Sequence, residues 1–222
     1  MRLIVRYEKN DEIKYISHLD MMRTFQRLLR RSGLPVKFSS GFNVHMNISF
    51  AIATSVGITS SAEYIDIQLA EDIDAEEALE ILNKNACKGI KMTDGAVVGD
   101  TYPSLMGRVA ASEYIISSDF ISTLSKADLD SFAALESVNI MKRSKSGTKE
   151  TNIRPLITEQ QLKDSSIYVK LSAGSSRNLN PLLYYHALES HFSTNETVPD
   201  IRRIALYDEN GQDMLSLDKG TI

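Results

Sequence analysis

One segment limits the folds open to this chain more than any other: SHLDMMRTFQRLLRRSGLP, Ser17 to Pro35. Ser17 and Asp20 have the spacing of a capping box, Gly33 supplies a helix stop, and Pro35 follows it. Between these marks Met21, Met22, Phe25, Leu28 and Leu29 recur along one side of a helix, while Arg23, Arg27, Arg30 and Arg31 gather on the opposite side. Such a helix buries one stripe against a partner layer and shows the other.

The partner layer reads as a sheet. Arg2 to Glu8 alternates as a strand, with Leu3, Val5 and Tyr7 on one face and Arg2, Ile4 and Arg6 on the other. Strand-like runs follow at Ile48 to Ser55 and Glu63 to Leu69. Next come an acidic helix opened by Asp74, with Glu77 three residues later, and a strand near Ile90 to Val98. The order is βαββαβ, and from Ala111 it returns. The second set is a strand Glu113 to Ser117, a helix from about Lys126 to Glu136 capped by Ser125, strands Val138 to Ser144 and Ile167 to Ser172, a helix Pro181 to His191 with Asn180 as cap, and a strand Arg202 to Tyr207.

The expected fold class is therefore α+β: tandem ferredoxin-like (βαββαβ) units, with antiparallel sheets and helices on one face. Residues 1–98 form the first unit with its basic helix and polar loop, 99–110 the junction and 111–222 the second unit. In the first, a central opening strand would leave Arg2 and Arg6 on an open outer face. RNA recognition domains place base-contacting residues there, although their aromatic stacking pair is missing from this strand.

Composition narrows the function classes. With 222 residues, 42% of them hydrophobic, the chain can bury a full core. No apolar run approaches the roughly 18 residues of a membrane span, and MRLIVRYEKNDEIKY is charged where a signal peptide is apolar, so the expected location is cytoplasmic, without membrane association. Cys87, the single cysteine, excludes an internal disulfide framework or a cysteine-built zinc or iron–sulfur site, and is expected to be a packed thiol at the end of the acidic helix. His186 and His191 stand about 140° apart on the last helix, so no metal is assigned. Phosphate-loop, dinucleotide, nucleophile-elbow and metalloprotease signatures are all missing, and no cofactor is expected.

Charge is uneven. The net charge of -4 hides nine basic against four acidic residues in 1–50, and three against nine in 51–98. Four arginines on one helical face suit phosphate, because each guanidinium offers forked donors; the competing reading pairs them with Asp20 or with Asp74, Glu76, Glu77 and Glu80. The loop KFSSGFNVHMNISF follows, in which Lys37, Ser40, Gly41, Asn43, His45 and Asn47 form a candidate polar site beside the helix. The structural alternative is a folded loop with Phe42 tucked into the core. His45 is of the residue type most used for general acid–base work, whereas His18, at the helix N-terminus, is expected to be a neutral structural histidine. A second basic cluster, Lys142, Arg143, Lys145 and Lys149, sits on an expected hairpin that leads to Arg154.

The stretches YISHLDMMRTFQRLLRRSGLPVKFSSGFNVHMNISFA, AEYIDIQL, PSLMGRVAASEY and KETNIRPLI together resemble the radical S-adenosylmethionine-linked (radical SAM-linked) family, a bacterial family of uncharacterised function. The resemblance implies a separate radical SAM enzyme as partner, since such domains are fused to or encoded beside radical enzymes. It implies no known reaction.

Three readings follow. The first is a non-catalytic RNA-binding adaptor that presents tRNA or rRNA to the radical enzyme for modification or processing, with Arg2, Arg6, Arg23, Arg27, Arg30, Arg31 and Lys37 on phosphate and the loop residues shaping a pocket. The second is a metal-independent endoribonuclease using His45, or else His18, as acid or base, with an arginine stabilising the developing negative charge. The third is a protein-binding scaffold for the radical enzyme. Oligomeric state is not legible.

Overall fold

The computed structural model describes residues 1–144, 147–192 and 197–215. The first half contains β1 (Arg2–Lys9), α1 (His18–Ser32), β2 (Ile48–Phe50), β3 (Thr59–Gln68), α2 (Ala75–Asn85) and β4 (Ile90–Val98). A short helix, α3 (Leu105–Arg108), leads into β5 (Ala111–Ser117), α4 (Asp119–Ser122) and α5 (Lys126–Ala133). A hairpin of β6 (Asn139–Ser144) and β7 (Gly147–Asn152) follows, and then β8 (Ile157–Lys163), β9 (Ser166–Ser172), α6 (Pro181–Phe192) and β10 (Asp200–Tyr207).

The architecture is mixed α+β with a mostly antiparallel sheet. Among the described residues the main sheet has eight strands in the order β4-β1-β3-β10-β5-β9-β8, with short β2 added beside β3. Its pairings are antiparallel except for β3 with β10, which run parallel where Arg202 meets Thr59 and Arg203 meets Ser60. That short join makes one continuous sheet of the two halves.

The second half corrects one strand. Val138–Ser144 was expected to extend the sheet, but β6 pairs with β7 in a separate two-stranded hairpin, and β8 holds the place beside β9. β8 is an edge strand with the sequence ITEQQLK, mostly exposed, so its period-two signal is weak.

Local chemistry accounts for the helix ends. Ser17 accepts a hydrogen bond from the Asp20 amide at 3.2 Å, and Gly33 closes α1 in the left-handed region at φ +72°. Asp74 caps α2 by accepting from the amides of Glu76 and Glu77. Ser125 and Asp128 form a reciprocal capping box on α5.

Side-chain alternation along β1 feeds two cores. Leu3, Val5 and Tyr7 pack under α1 and α2 against Phe25, Leu28, Leu29 and Leu82. Ile4 faces the other way and is fully buried with Tyr64, Leu105, Val109, Leu206, Met214 and Leu215. The outer face of β1 is therefore not open, because the α3 segment and the stretch after β10 lie over it. A third cluster, built on Phe132, Tyr184, Tyr185 and Leu188, fills the second half.

Candidate functional site

The covering of β1 removes two expected RNA contacts. Arg2 is 7% exposed, its Nε lies 3.1 Å and 3.2 Å from the Asp66 carboxylate oxygens, and it also donates to the carbonyls of Tyr102 and Pro103. Hydrogen bonding to Asp66 pushes the Arg2 pKa up despite burial. Arg6 donates to the carbonyls of Ser61 at 3.0 Å and Ile204 at 3.3 Å, and faces Asp213 at 3.7 Å. Both arginines are consumed by the fold.

On α1 the four arginines are exposed. Arg23 is paired with Asp20 at 3.1 Å, one turn back, and Arg31 donates to the Asn85 carbonyl at 2.9 Å. None of the four forms an ion pair with the acidic residues of α2 among the described residues, and Arg27 and Arg30 have no ion-pair partner there. The face is held by α1's apolar side, where Met21, Phe25, Leu28 and Leu29 are buried. A row of guanidinium groups carried in water on one helix face is suited to a polyanion.

The chain turns from this helix into a narrow hairpin. Lys37 and Asn47 meet through Asn47 N to Lys37 O at 2.9 Å, and Ser39 and His45 through Ser39 N to His45 O at 2.8 Å. The stem is tied to the sheet, since Lys37 N donates to Gln68 O and Gln68 N donates to Asn47 O. His45 Nδ1 lies 3.0 Å from the Asn43 carbonyl and 2.9 Å from Ser39 Oγ. A carbonyl only accepts, so this contact favours a proton on Nδ1. Gly41, at φ +110°, occupies a turn position that side-chain-bearing residues rarely adopt.

Phe42 is not in the core: it is 113% exposed at the hairpin tip, with Phe38 at 48% and Val44 at 61%. Ser40, Gly41 and Asn43 flank it, all exposed. Along the stem, His45, Asn47, Ser49, Asp66 and Gln68 line a polar cleft of about 270 Å³, in which Asn47 Nδ2 already donates to Gln68 Oε1 at 3.1 Å.

The second basic cluster divides. Lys142 and Lys149 stand opposite each other across β6 and β7, both exposed, with Arg143 opposite Thr148, while Lys145 lies outside the described residues. Arg154 belongs elsewhere. Its Nε and Nη2 donate to the Ala133 carbonyl at 3.1 Å and 2.7 Å and its Nη1 to Ile157 O at 3.0 Å, so it closes the C-terminal end of α5 rather than extending a cationic track.

His18 is exposed and stands edge-on to Phe50 at 5.3 Å. Cys87, expected to be packed, is exposed beyond α2. His186 faces Glu189 at 3.5 Å and His191 packs against Phe132, and no group of three metal-ligating side chains occurs among the described residues.

Strand alternation concealed a buried charge cluster. Arg203 on β10, 1% exposed, is bonded to Glu63 on β3 and to the Ile52 carbonyl. Lys9, 3% exposed, lies within 3.4 Å of Thr54 Oγ1, and burial lowers its pKa, with Glu63 and Arg203 acting in opposite senses. A charged residue at an inward strand position carries no local signal of its partner.

These features define a class: a mixed α+β protein with a row of exposed arginines on one helix next to an exposed aromatic hairpin. The chain belongs to the DUF2344 family, described as an uncharacterized protein conserved in bacteria, whose model matches residues 2–181. No protein with curated annotation matches it. Among solved structures it is similar to an unknown protein from Galdieria sulphuraria (10% identity, 92% of this chain and 98% of that one, TM-score 0.26). A putative glycine cleavage system transcriptional repressor shares 11% identity over 91% of this chain and 96% of that one, with TM-score 0.24. A dye-decolorizing protein from V. cholerae shares 10% over 96% and 88%, with TM-score 0.20. Scores of this size carry no argument about fold or function. No helix among the described residues is long and apolar enough to cross a membrane.

Proposed function

We propose that this chain is a non-catalytic, cytoplasmic RNA-binding adaptor that works beside a separate radical SAM enzyme in tRNA or rRNA modification or processing. The observation that carries the RNA part is the α1 face, where Arg23, Arg27, Arg30 and Arg31 are exposed and the acids of α2 take no ion pair from them among the described residues. Arg2, Arg6 and Arg154 have no place in this reading, since each is held inside the fold. Lys37, on the stem of the hairpin that follows, adds a cation next to Ser40, Gly41, Asn43, His45 and Asn47. The radical enzyme rests on the resemblance of YISHLDMMRTFQRLLRRSGLP and the stretches after it to the radical SAM-linked family.

The strand orders β4-β1-β3-β2 and β10-β5-β9-β8 support reading the two halves as ferredoxin-like units, the second interrupted by the β6–β7 hairpin. In that reading the boundaries stay at 1–98, 99–110 and 111–222. Around His45 the partners are a serine hydroxyl and a carbonyl, which orient the ring without supplying a second acid or base, so the nuclease reading gains nothing.

The test is binding of purified protein to cellular RNA across a salt series, with Arg23, Arg27 and Arg30 all changed to Glu in parallel. Loss of affinity together with a shallower salt slope supports the reading. A folded variant with unchanged affinity and slope overturns it.

A further inference from the structure

We infer that the hairpin tip seats Phe42 against an unpaired base of the bound RNA, so that the ligand is an RNA with a loop, bulge or single-stranded end rather than a continuous duplex. The inference rests on the RNA-binding reading above and extends it from phosphate to base.

Phe42 projects fully into water at 113% exposure, and Phe38 on the same hairpin is half-exposed. An exposed ring gains nothing for the fold, whereas burial of its apolar area against another surface is favourable. The frame beneath it is fixed. Two stem pairs, the Ser39–His45–Asn43 cluster and the tie to Gln68 hold the hairpin, so little backbone freedom remains to be lost on contact. Preorganised aromatics of this kind serve as stacking platforms.

The neighbours indicate what covers the ring. Lys37 begins the stem, and Arg30 and Arg31 occupy the last turn of α1 just before it. Nucleic acid offers a phosphate and a flat π-face in every nucleotide, which matches cations and an aromatic carried on one continuous segment. Inside an A-form duplex the bases are stacked on each other, and a protruding ring finds a face only at an unpaired base or at a helix end. Stacking is tolerant of base identity, so no side chain need read a base edge.

The chain contains no tryptophan. Phe42→Trp therefore places a single indole at the tip, where stacking on a base quenches its fluorescence and no packed neighbour is disturbed. The experiment titrates this variant, the wild type and Phe42→Ala with a uridine homopolymer and with a blunt RNA duplex of equal length. Quenching by the homopolymer alone, with Phe42→Ala weakening homopolymer binding about tenfold to a hundredfold at unchanged salt slope and leaving duplex binding intact, supports the inference. Equal binding of both RNAs by wild type and Phe42→Ala, with an unquenched indole, overturns it and leaves the arginine-face reading standing. No binding of either RNA by the wild type overturns both. A blue-shifted indole on addition of a radical SAM enzyme without RNA overturns it in favour of a protein pocket.

Discussion

Arg27 and Arg30 stand on the outer side of α1 with no ion-pair partner among the described residues, whereas Arg203, at the join of β3 and β10, is 1% exposed and bonded to Glu63. The same side chain serves opposite ends. At the join, the parallel pairing covers only two residue pairs, so side chains complete it. Glu63 takes Arg203, Arg6 donates to Ile204 O, Thr59 Oγ1 lies 3.4 Å from Ile201 O, and Ser61 Oγ lies 3.4 Å from Arg203 O. A charge placed there must be partnered because desolvation costs more than the fold can spare. On α1 water solvates each guanidinium, leaving it available to an anion. The difference teaches that abundance of arginine in the first half says little about binding until burial has sorted it.

The sharpest way to break this contrast is to remove one partner from the join. Glu63→Ala leaves Arg203 buried and uncompensated, and urea unfolding should show a loss of about 3–5 kcal/mol. Adding Arg203→Met to it should recover part of that loss, and a purely additive double variant would dissolve the claim that the two act as a pair. Charge reversal at Arg23, Arg27 and Arg30 should instead leave the protein folded, shifting its stability by no more than about 1 kcal/mol. Its effect belongs in binding, where the salt slope of RNA association should fall by about 2 if three phosphate contacts are lost.

A pH series separates the regions differently. Burial, and after it the charge of Asp213, pushes the Tyr64 hydroxyl well above its ordinary value; burial does the same at Tyr7 and Tyr184. A phenol with a raised folded pKa contributes stability that is complete below the unfolded value of about 10 and is lost as pH climbs from there toward the folded value. Alkaline titration of stability should therefore decline above about pH 10, and Tyr64→Phe should flatten the decline. The smallest effect is expected from Arg27→Ala, within about 0.5 kcal/mol by thermal or urea unfolding. A cost as large as that at Glu63 would mean that α1's outer face is structural.

Much of the fold was legible where one element carries its own signals. α1 announces itself through Ser17, Gly33 and its apolar stripe, and the structure has it from His18 to Ser32 with those residues at its ends. α6 likewise begins at Pro181, with Asn180 Oδ1 accepting from the Leu182 amide at 2.9 Å. β8 was not legible because an edge strand buries little and shows mostly polar residues. Arg154 read as part of a cationic track because the hairpin that leads to it is basic, yet its partner, the end of α5, lies 21 residues back along the chain.

The candidate site divided along the same line. Alternation correctly separated Arg2 and Arg6 from Leu3, Val5 and Tyr7, but the cover over their face comes from Leu105 and Val109 and from Met214 and Leu215, the last two at the other end of the chain. Phe42 is apolar, and composition alone would bury it. The hairpin hydrogen bonds of Ser39, His45 and Asn47 carry it outward instead. Caps, helical and strand periods and the arginine row of α1 were determined by the sequence itself, because each depends on residues within a turn or two of one another. Which arginines are spent inside the fold, which aromatic ring meets water and how β10 joins the halves were decided only by tertiary structure, because burial is a property of contacts between residues far apart in the chain.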